Sequence, residues 1–183
     1  MGEAAAARLA ERLMAWSIDQ ACKADIGPVE LCCTPDIAHP AFERMARLHG
    51  VRLSVQGEGD LGQRMARALR RVLLSHGRAI LIGTDAPALD AAYLRSASAA
   101  LADHDAVFGP ATDGGYTLVG LKRPADELFQ GITWSTPQVM AQTRHRIVQL
   151  GLRCAELPAL SDIDEPADLA HLPDDWQPLL DRS

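Results

Sequence analysis

The sequence has 183 residues, of which 48% are hydrophobic and 23% are charged, a composition typical of a globular protein and not of a disordered one. Its 18 Lys and Arg against 24 Asp and Glu give a formal net charge of -6, the wrong sign for binding nucleic-acid backbones. No apolar run approaches the ~20 residues that cross a bilayer and the first residues lack a signal-peptide core, so we expect a single soluble, cytoplasmic domain over residues 1–183.

Helical patterns and short apolar runs alternate along the chain. In chain order we predict a helix at 3–24, a strand at 29–33, a helix at 40–49, a strand at 51–55, a helix at 60–75, a strand at 79–83, a helix at 90–103, strands at 106–109 and 116–121, a helix at 136–150, a strand at 152–157 and a short helix at 164–172. This order predicts a mainly parallel sheet wrapped by helices. The strand at 79–83 is apolar throughout, which is typical of a strand covered on both faces, so we predict that it is central.

The first candidate site is a glycine-rich turn between a strand and a helix, residues 56–65. Glycines let the backbone approach a ligand closely, and a helix amino terminus attracts anions. The spacing is neither that of a dinucleotide-binding loop nor that of a P-loop. A tight turn with Asp60 as a helix cap explains the segment equally well.

A carboxylate follows the most apolar predicted strand, in residues 83–87. Removing Asp85 from water is costly unless a cation or hydrogen bonds compensate, so its position indicates a metal or substrate role. The structural alternative is an aspartate that caps a turn, which the neighbouring Pro87 also favours.

Residues 113–116 connect two predicted strands and place backbone amides beside an acid and an aromatic ring. Asp-Gly is also the commonest hairpin turn signal, which gives a purely structural alternative. Gly109 and Pro110 make the connection longer than a two-residue hairpin needs, so both interpretations remain open.

The last candidate segment, residues 162–168, carries two acids separated by one residue. On an extended segment, Asp162 and Asp164 can turn their oxygens toward one cation. Alternatively, Asp164 caps the helix that starts at Pro166, and one residue can do both.

Taken together, these segments resemble a known family. In one-letter code they read Q-G-x-G-D-L-G-x-R-M, G-T-D-x-P, D-G-G-Y, W-S-T-P and D-I-D-x-P-x-D-L. This ordered set resembles the bacterial DUF2064 family of glycosyltransferase-A-like proteins, which are related to the nucleotidyltransferases of molybdenum-cofactor and coenzyme F420 assembly. The resemblance covers nearly the whole chain and implies an α/β fold, a three-layer α/β/α Rossmann-like sandwich of the nucleotide-diphospho-sugar transferase type.

The resemblance also implies roles for individual residues. Asp85, Asp162 and Asp164 would hold a divalent cation, Mg2+ or Mn2+. The residues expected near the nucleotide or donor phosphates are Gln56, Gly57, Gly59, Asp60 and Arg64. Those expected on the acceptor side are Asp113, Gly114, Gly115, Tyr116, Trp134, Ser135 and Thr136. As catalytic residues we predict Asp113, to orient or deprotonate an acceptor hydroxyl, and Arg64, to help neutralise the leaving group.

The charge of this site favours a metal, because carboxylates in an acidic protein repel a nucleotide's phosphates unless a divalent cation lies between them. The partner implied is a nucleotide-activated small molecule, with no nucleic acid and no membrane span. Two activities remain open. One is a glycosyltransferase that uses a nucleotide sugar, and the other is a nucleotidyltransferase that releases pyrophosphate.

The amino end departs from the family pattern. Relatives open with a strand and a basic phosphate-contacting loop, whereas here a predicted helix follows the first residues directly. We hypothesise a truncated or misassigned start, and this leaves a third interpretation, a non-catalytic nucleotide-binding remnant. A gap in the sheet would leave unpaired strand edges, which favour self-association into a homo-oligomer.

Overall fold

The computed structural model describes residues 2–173 and residue 176. Its helices and strands, in chain order, are α1 Glu3–Ala24, β1 Glu30–Cys33, α2 Pro40–His49, β2 Arg52–Val55, α3 Leu61–Leu73, β3 Ala79–Ile82, α4 Ala91–Asp103, β4 Ala106–Pro110, β5 Tyr116–Leu121, α5 Val139–Gln149 and β6 Cys154–Glu156. Two 3-10 helices lie at Asp126–Phe129 and Pro166–His171. None of the helices in this described part of the chain is long and apolar enough to cross a membrane.

Most helix boundaries follow from local capping. The Asp60 carboxylate accepts a hydrogen bond from the Gln63 amide, and the Gln63 side chain accepts one from the Asp60 amide, so a complete capping box starts α3. Asp90 caps α4 by a single side-chain hydrogen bond, which its carboxylate accepts from the amide of Tyr93. The predicted last helix is a 3-10 helix, α5 begins three residues later than predicted, and the 3-10 helix at Asp126–Phe129 was not predicted.

The strands form two sheets. One has four strands in the order β3-β5-β4-β6, and the other pairs β1 with β2 in parallel. In the four-stranded sheet β5 is antiparallel to both β3 and β4, while β4 and β6 are parallel. Strands β3, β4 and β6 therefore point in the same direction, and their carboxyl ends lie side by side along one edge of the sheet, which we call the carboxyl-end edge. This edge is where open α/β sheets place ligands.

Helices cover both faces of the four-stranded sheet, which gives three layers. On one face the buried side chains are Val107 and Leu118 of the sheet, Leu94, Ala97 and Leu101 of α4 and Ala24 of α1. On the other face they are Ala106, Phe108, Val119 and Leu121 of the sheet, Met65 and Leu69 of α3, and Met140 and Ile147 of α5. Burying each large apolar side chain stabilises the fold by roughly 1.5–3 kcal/mol.

Helix α1 connects the two sheets. Its middle packs over β1 through Met14 and Ile18, in a core that Leu31 and Met45 also enter. Its carboxyl end, at Ala24, packs on the four-stranded sheet. One long amphipathic helix therefore holds both sheets together.

The prediction that the strand at 79–83 is central is wrong. Strand β3 is an outer strand of the four-stranded sheet, and among the described strands its partner is β5. Its side chains are nevertheless covered on both faces, since Ile80 and Ile82 pack toward α4 and Leu81 packs toward α3. An apolar strand sequence indicates that helices bury both faces of the strand. It does not report strand neighbours, because strands pair through the backbone.

Candidate active site

Three carboxylates from two loops converge beyond the carboxyl ends of the strands. Asp113 follows β4, and Asp162 and Asp164 lie in the extended segment after β6. One carboxylate oxygen from each of the three lies within 4.8 Å of the others. Hard oxygen ligands in this arrangement suit Mg2+ or Mn2+, and acids from two separate loops can surround one ion. We call these three residues the acidic cluster.

The two loops are joined by backbone contacts. Leu160 lies beside Ala111 in a parallel bridge, and its carbonyl accepts a hydrogen bond from the Thr112 amide at 3.0 Å. Within the first loop, the Asp113 carboxylate accepts a hydrogen bond from the Gly115 amide at 2.8 Å. These bonds fix the position of Asp113 relative to the segment that carries the other two acids.

Asp85 lies beside the acidic cluster and half-buried after β3. Its main-chain carbonyl accepts a hydrogen bond from the Ile163 amide at 3.0 Å, so it contacts the residue between the two later acids. Burial raises the pKa of the Asp85 carboxyl, and the charges of Asp164 and Asp113 raise it further. The predicted metal set named Asp85, Asp162 and Asp164, whereas the carboxylates whose oxygens all lie within 4.8 Å of one another are those of Asp113, Asp162 and Asp164.

The acidic cluster is electrostatically strained. Burial, followed by the charges of Asp113, Asp164 and Asp85, raises the pKa of Asp162 to about 6. Like charges this close disfavour simultaneous ionisation, and a divalent cation between them removes the conflict. The electrostatics therefore agree with the oxygen geometry in favouring a cation.

Two arginines of α3 bind the carbonyls of the glycine-rich turn between β2 and α3. Arg67 donates hydrogen bonds to the carbonyls of Gln56 at 2.6 Å and Glu58 at 2.8 Å, and Arg64 donates one to the carbonyl of Gly59 at 2.9 Å. The Asp60 carboxylate caps α3, as the structural alternative proposed. Sequence reasoning missed Arg67. The signal that could have found it is its position one helical turn beyond Arg64, on the same face of α3.

At the other end of the turn, the Gln56 side chain donates a hydrogen bond to the carbonyl of Cys32 at 3.0 Å. This bond ties the turn to the end of β1, so Gln56 has a structural contact in addition to its predicted place near the donor. The turn is therefore anchored at both of its ends.

An aromatic series links the core to the segment around Trp134. The ring of Tyr116 meets Phe108 edge-on, with centroids 5.0 Å apart, and meets Trp134 edge-on at 6.4 Å. A Cβ at Gly62 would lie 2.6 Å from the Trp134 ring, so only glycine admits the indole against α3. Burial raises the pKa of Tyr116, whose hydroxyl contacts the Met65 sulfur, so the phenol stays neutral.

The remaining predicted acceptor-side residues form local turns. Thr136 donates a hydrogen bond to the carbonyl of Thr133 at 2.7 Å, and Ser135 is exposed with a left-handed φ of 59°. Gly114, at φ +99°, lies so close to the carbonyl of Pro137 that no side chain fits. Among the described residues no hydrogen bond joins the glycine-rich turn directly to the acidic cluster. Trp134 lies between the start of α3, at Gly62, and the ring of Tyr116.

The chain is similar to one protein family and to several solved structures. The family model described as "Uncharacterized protein conserved in bacteria (DUF2064)" matches residues 17–136. A protein from Desulfovibrio desulfuricans G20, provisionally assigned as a nucleotide-diphospho-sugar transferase, is similar in structure with a TM-score of 0.86 and 26% identity, over 97% of this chain and 78% of that chain. The comparison with curated proteins gives no match.

Two further solved structures share the fold at 13% identity. The CMP:2-keto-3-deoxy-manno-octonic acid synthetase complexed with CTP has a TM-score of 0.58, over 87% of this chain and 85% of that chain. The glucosyl-3-phosphoglycerate synthase from Mycobacterium tuberculosis was solved in complex with Mn2+, UDP and glucosyl-3-phosphoglycerate. It has a TM-score of 0.59, over 88% of this chain and 71% of that chain. At this identity the likeness concerns the fold alone.

Proposed function

The chain belongs to the DUF2064 family, and from that premise we propose that it is a metal-dependent transferase acting on a nucleotide-activated donor, specifically a glycosyltransferase that uses a nucleotide sugar. The observation that carries the proposal is the acidic cluster at the carboxyl-end edge of the sheet. The Desulfovibrio structure, provisionally assigned as a nucleotide-diphospho-sugar transferase, supports the donor class.

In this proposal the acidic cluster holds Mg2+ or Mn2+, with Asp85 as a further carboxylate beside it. The bound metal would neutralise the charge that develops on the diphosphate leaving group. The Mycobacterium tuberculosis synthase was solved with Mn2+ and UDP, which supports the pairing of a divalent cation with a nucleoside diphosphate on this fold. The close approach of three carboxylates in an acidic protein agrees with it.

The donor phosphates are assigned to the glycine-rich turn, Gln56, Gly57, Gly59 and Asp60. Exposed backbone amides and the amino terminus of α3 offer donors to an anion. Arg64 has its Nε on the carbonyl of Gly59, which leaves its terminal nitrogens to assist charge neutralisation on the leaving group. This is the catalytic role proposed for Arg64.

The acceptor is assigned to the opposite side, along Asp113, Gly114, Gly115 and Tyr116, with Trp134, Ser135 and Thr136 next to them. Aromatic rings suit the apolar faces of a sugar or another cyclic acceptor. Asp113 has two carboxylate oxygens, so it can share the cation and also accept a hydrogen bond from the acceptor hydroxyl. We propose that it orients this hydroxyl or takes its proton.

A second candidate activity is nucleotidyl transfer with release of pyrophosphate. The similar fold of a synthetase that was solved with CTP favours it. Glycosyl transfer breaks the bond between the sugar and the diphosphate, whereas nucleotidyl transfer breaks the bond between the α- and β-phosphates. Two incubations with Mn2+, one with a panel of nucleotide sugars and one with nucleoside triphosphates, therefore separate the two activities. Release of a nucleoside diphosphate from a nucleotide sugar, with the sugar passing to an added acceptor or to water, supports glycosyl transfer. Release of pyrophosphate from a nucleoside triphosphate supports nucleotidyl transfer.

The metal-dependent step is tested by calorimetric titration with the nucleoside diphosphates ADP, CDP, GDP and UDP, each with and without Mn2+. We expect one of them to bind in the presence of Mn2+ and the binding to be lost in Asp162→Asn. The matched control is Asp103→Asn, an exposed aspartate at the end of α4. Binding without turnover of any donor would support the non-catalytic interpretation, and equal binding by Asp162→Asn would contradict the proposed metal site.

A further inference from the structure

Arg67 binds the glycine-rich turn through two carbonyls that are two residues apart. Its Nη1 donates to the carbonyl of Gln56 at 2.6 Å and its Nη2 donates to the carbonyl of Glu58 at 2.8 Å. Both terminal nitrogens of the guanidinium are therefore used on the backbone. The planar fork of an arginine can hold two acceptors in fixed relative positions, which a lysine cannot do.

The turn is shaped to receive this guanidinium. Gly57, between the two carbonyls, has a φ of +78°, and a Cβ built there would lie 2.6 Å from Nη1 of Arg67. A side chain at this position would meet both an unfavourable backbone conformation and the arginine. The glycine and the arginine thus depend on each other.

The direction of the two carbonyls fixes the direction of two amides. The peptide bonds between residues 56 and 57 and between 58 and 59 are trans, and in a trans peptide the N–H points opposite to the C=O. Because both carbonyls point at Arg67, the amides of Gly57 and Gly59 point away from it. Neither amide has a hydrogen-bond partner among the described residues, whereas the next amide, that of Asp60, is bonded to Gln63.

We propose that Arg67 is a positioning residue that presents the amides of Gly57 and Gly59 to the diphosphate of the donor. Neighbouring backbone amides that point the same way form a concave site for anions. Arg67 does not contact the phosphates, because its terminal nitrogens are held by the carbonyls. This inference rests on the proposed function, since it assigns the phosphate subsite of the same donor.

The experiment measures the affinity of the Mn2+-loaded protein for inorganic pyrophosphate and for the nucleoside diphosphate that the wild type binds most tightly. We expect Arg67→Ala to weaken both at least tenfold and to leave the affinity for Mn2+ alone unchanged. The matched control is Arg70→Ala, which removes the same charge from the same helix but breaks an ion pair with Asp126, away from the turn. We expect its affinities to stay within twofold of the wild type.

A conservative variant separates positioning from simple charge attraction. Arg67→Lys keeps the charge but can reach only one carbonyl at a time, so we expect it to recover only a small part of the affinity. Full recovery in Arg67→Lys, or a loss in Arg70→Ala equal to that in Arg67→Ala, would mean that long-range charge is responsible and would overturn the inference.

A double-mutant cycle tests the contact from the other side. Gly57→Ala should displace the guanidinium and weaken diphosphate binding by itself. It should cost less in the Arg67→Ala background, where the clash is gone and only the backbone strain at φ +78° remains. Fully additive losses would contradict the mutual dependence. Wild-type affinity in Arg67→Ala overturns this inference alone, whereas failure of the wild type to bind any diphosphate overturns the proposed function with it.

Discussion

The main-chain carbonyl of Asp85 accepts a hydrogen bond from the amide of Ile163 at 3.0 Å. This bond joins the loop after β3, at one edge of the four-stranded sheet, to the segment that leaves β6 at the opposite edge. On the way that segment also bonds to β4, through Leu157 with Phe108 and Leu160 with Pro110. It therefore crosses the carboxyl ends of the strands and brings together acids that lie about eighty residues apart in sequence.

Neutralising one member of the acidic cluster should stabilise the metal-free protein. We expect Asp162→Asn to raise the melting temperature without metal, because the ionised carboxylate is disfavoured by burial and by three neighbouring acids. The same variant should lose most of the stabilisation that Mn2+ confers on the wild type. Thermal unfolding with EDTA and with Mn2+ measures both effects, with Asp103→Asn as the control. An unchanged response of Asp162→Asn to Mn2+ would contradict the metal site.

The effects of single substitutions on Mn2+ affinity distinguish the acidic cluster from the metal ligands predicted from the sequence. We expect Asp113→Asn to reduce Mn2+ affinity more than Asp85→Asn, because an Asp113 oxygen lies within 4.8 Å of oxygens of both Asp162 and Asp164, whereas Asp85 is not part of that group. Calorimetric titration with Mn2+ alone measures the two variants side by side. A larger loss in Asp85→Asn would support the set expected from the sequence.

The ion pair between β1 and α3 makes stability depend on pH. Glu30 accepts hydrogen bonds from Arg71 and Ser54, and the Arg71 guanidinium is the main reason that the pKa of Glu30 is lowered. Because the folded pKa is lower than the unfolded one, this contribution is complete above the unfolded pKa and is lost as the pH falls through the folded pKa.

Glu30→Gln should therefore lower the melting temperature at pH 7, by about 2–4 °C if the pair is worth roughly 1 kcal/mol. The difference from the wild type should shrink steadily below pH 4.5. Melting curves from pH 3 to pH 8 test this, with Glu43→Gln as a control at an exposed glutamate that has no ion pair among the described residues. A difference that does not change with pH would refute the ion-pair explanation.

Gly62 should tolerate no side chain. In Gly62→Ala the new Cβ would lie 2.6 Å from the Trp134 ring and 2.8 Å from the carbonyl oxygen of Phe129, so the indole or the helix must move. We expect a destabilisation of about 1–3 kcal/mol, as for other overpacked sites, and a change in tryptophan fluorescence. Gly77→Ala, where a Cβ meets nothing within 4 Å, is the matched control and should be nearly neutral.

Gly114→Ala should disturb the loop that carries Asp113. The substitution combines a φ of +99° with a clash against the carbonyl of Pro137, so we expect it to reduce Mn2+ affinity as well as stability. Gly50→Ala has a comparable φ of +68° with open space around it, and it isolates the cost of the backbone conformation. Equal effects of the two variants on Mn2+ affinity would show that the loop position does not matter for the metal.

Local signals determined most of the elements. Caps such as Asp60 and Asp90 and the proline at the start of α2 act within three or four residues, so they mark helix starts in the sequence. Runs of apolar residues marked the strands for a similar reason. The same reasoning placed Asp85 and the Asp162–Asp164 pair beyond the carboxyl ends of the strands, because each follows the end of a strand.

Only the tertiary structure decided which groups meet. Four features depend on segments that are remote in sequence or separated by a turn. They are the outer position of β3 in the sheet, the approach of Asp113 to Asp162 and Asp164, the hydrogen bonds of Arg67 to the glycine-rich turn, and the packing of Trp134 against Gly62. Sequence patterns report how a residue is covered and how its own turn is capped. Contacts across loops depend on the path of the backbone and on packing between whole elements, to which no single residue type corresponds.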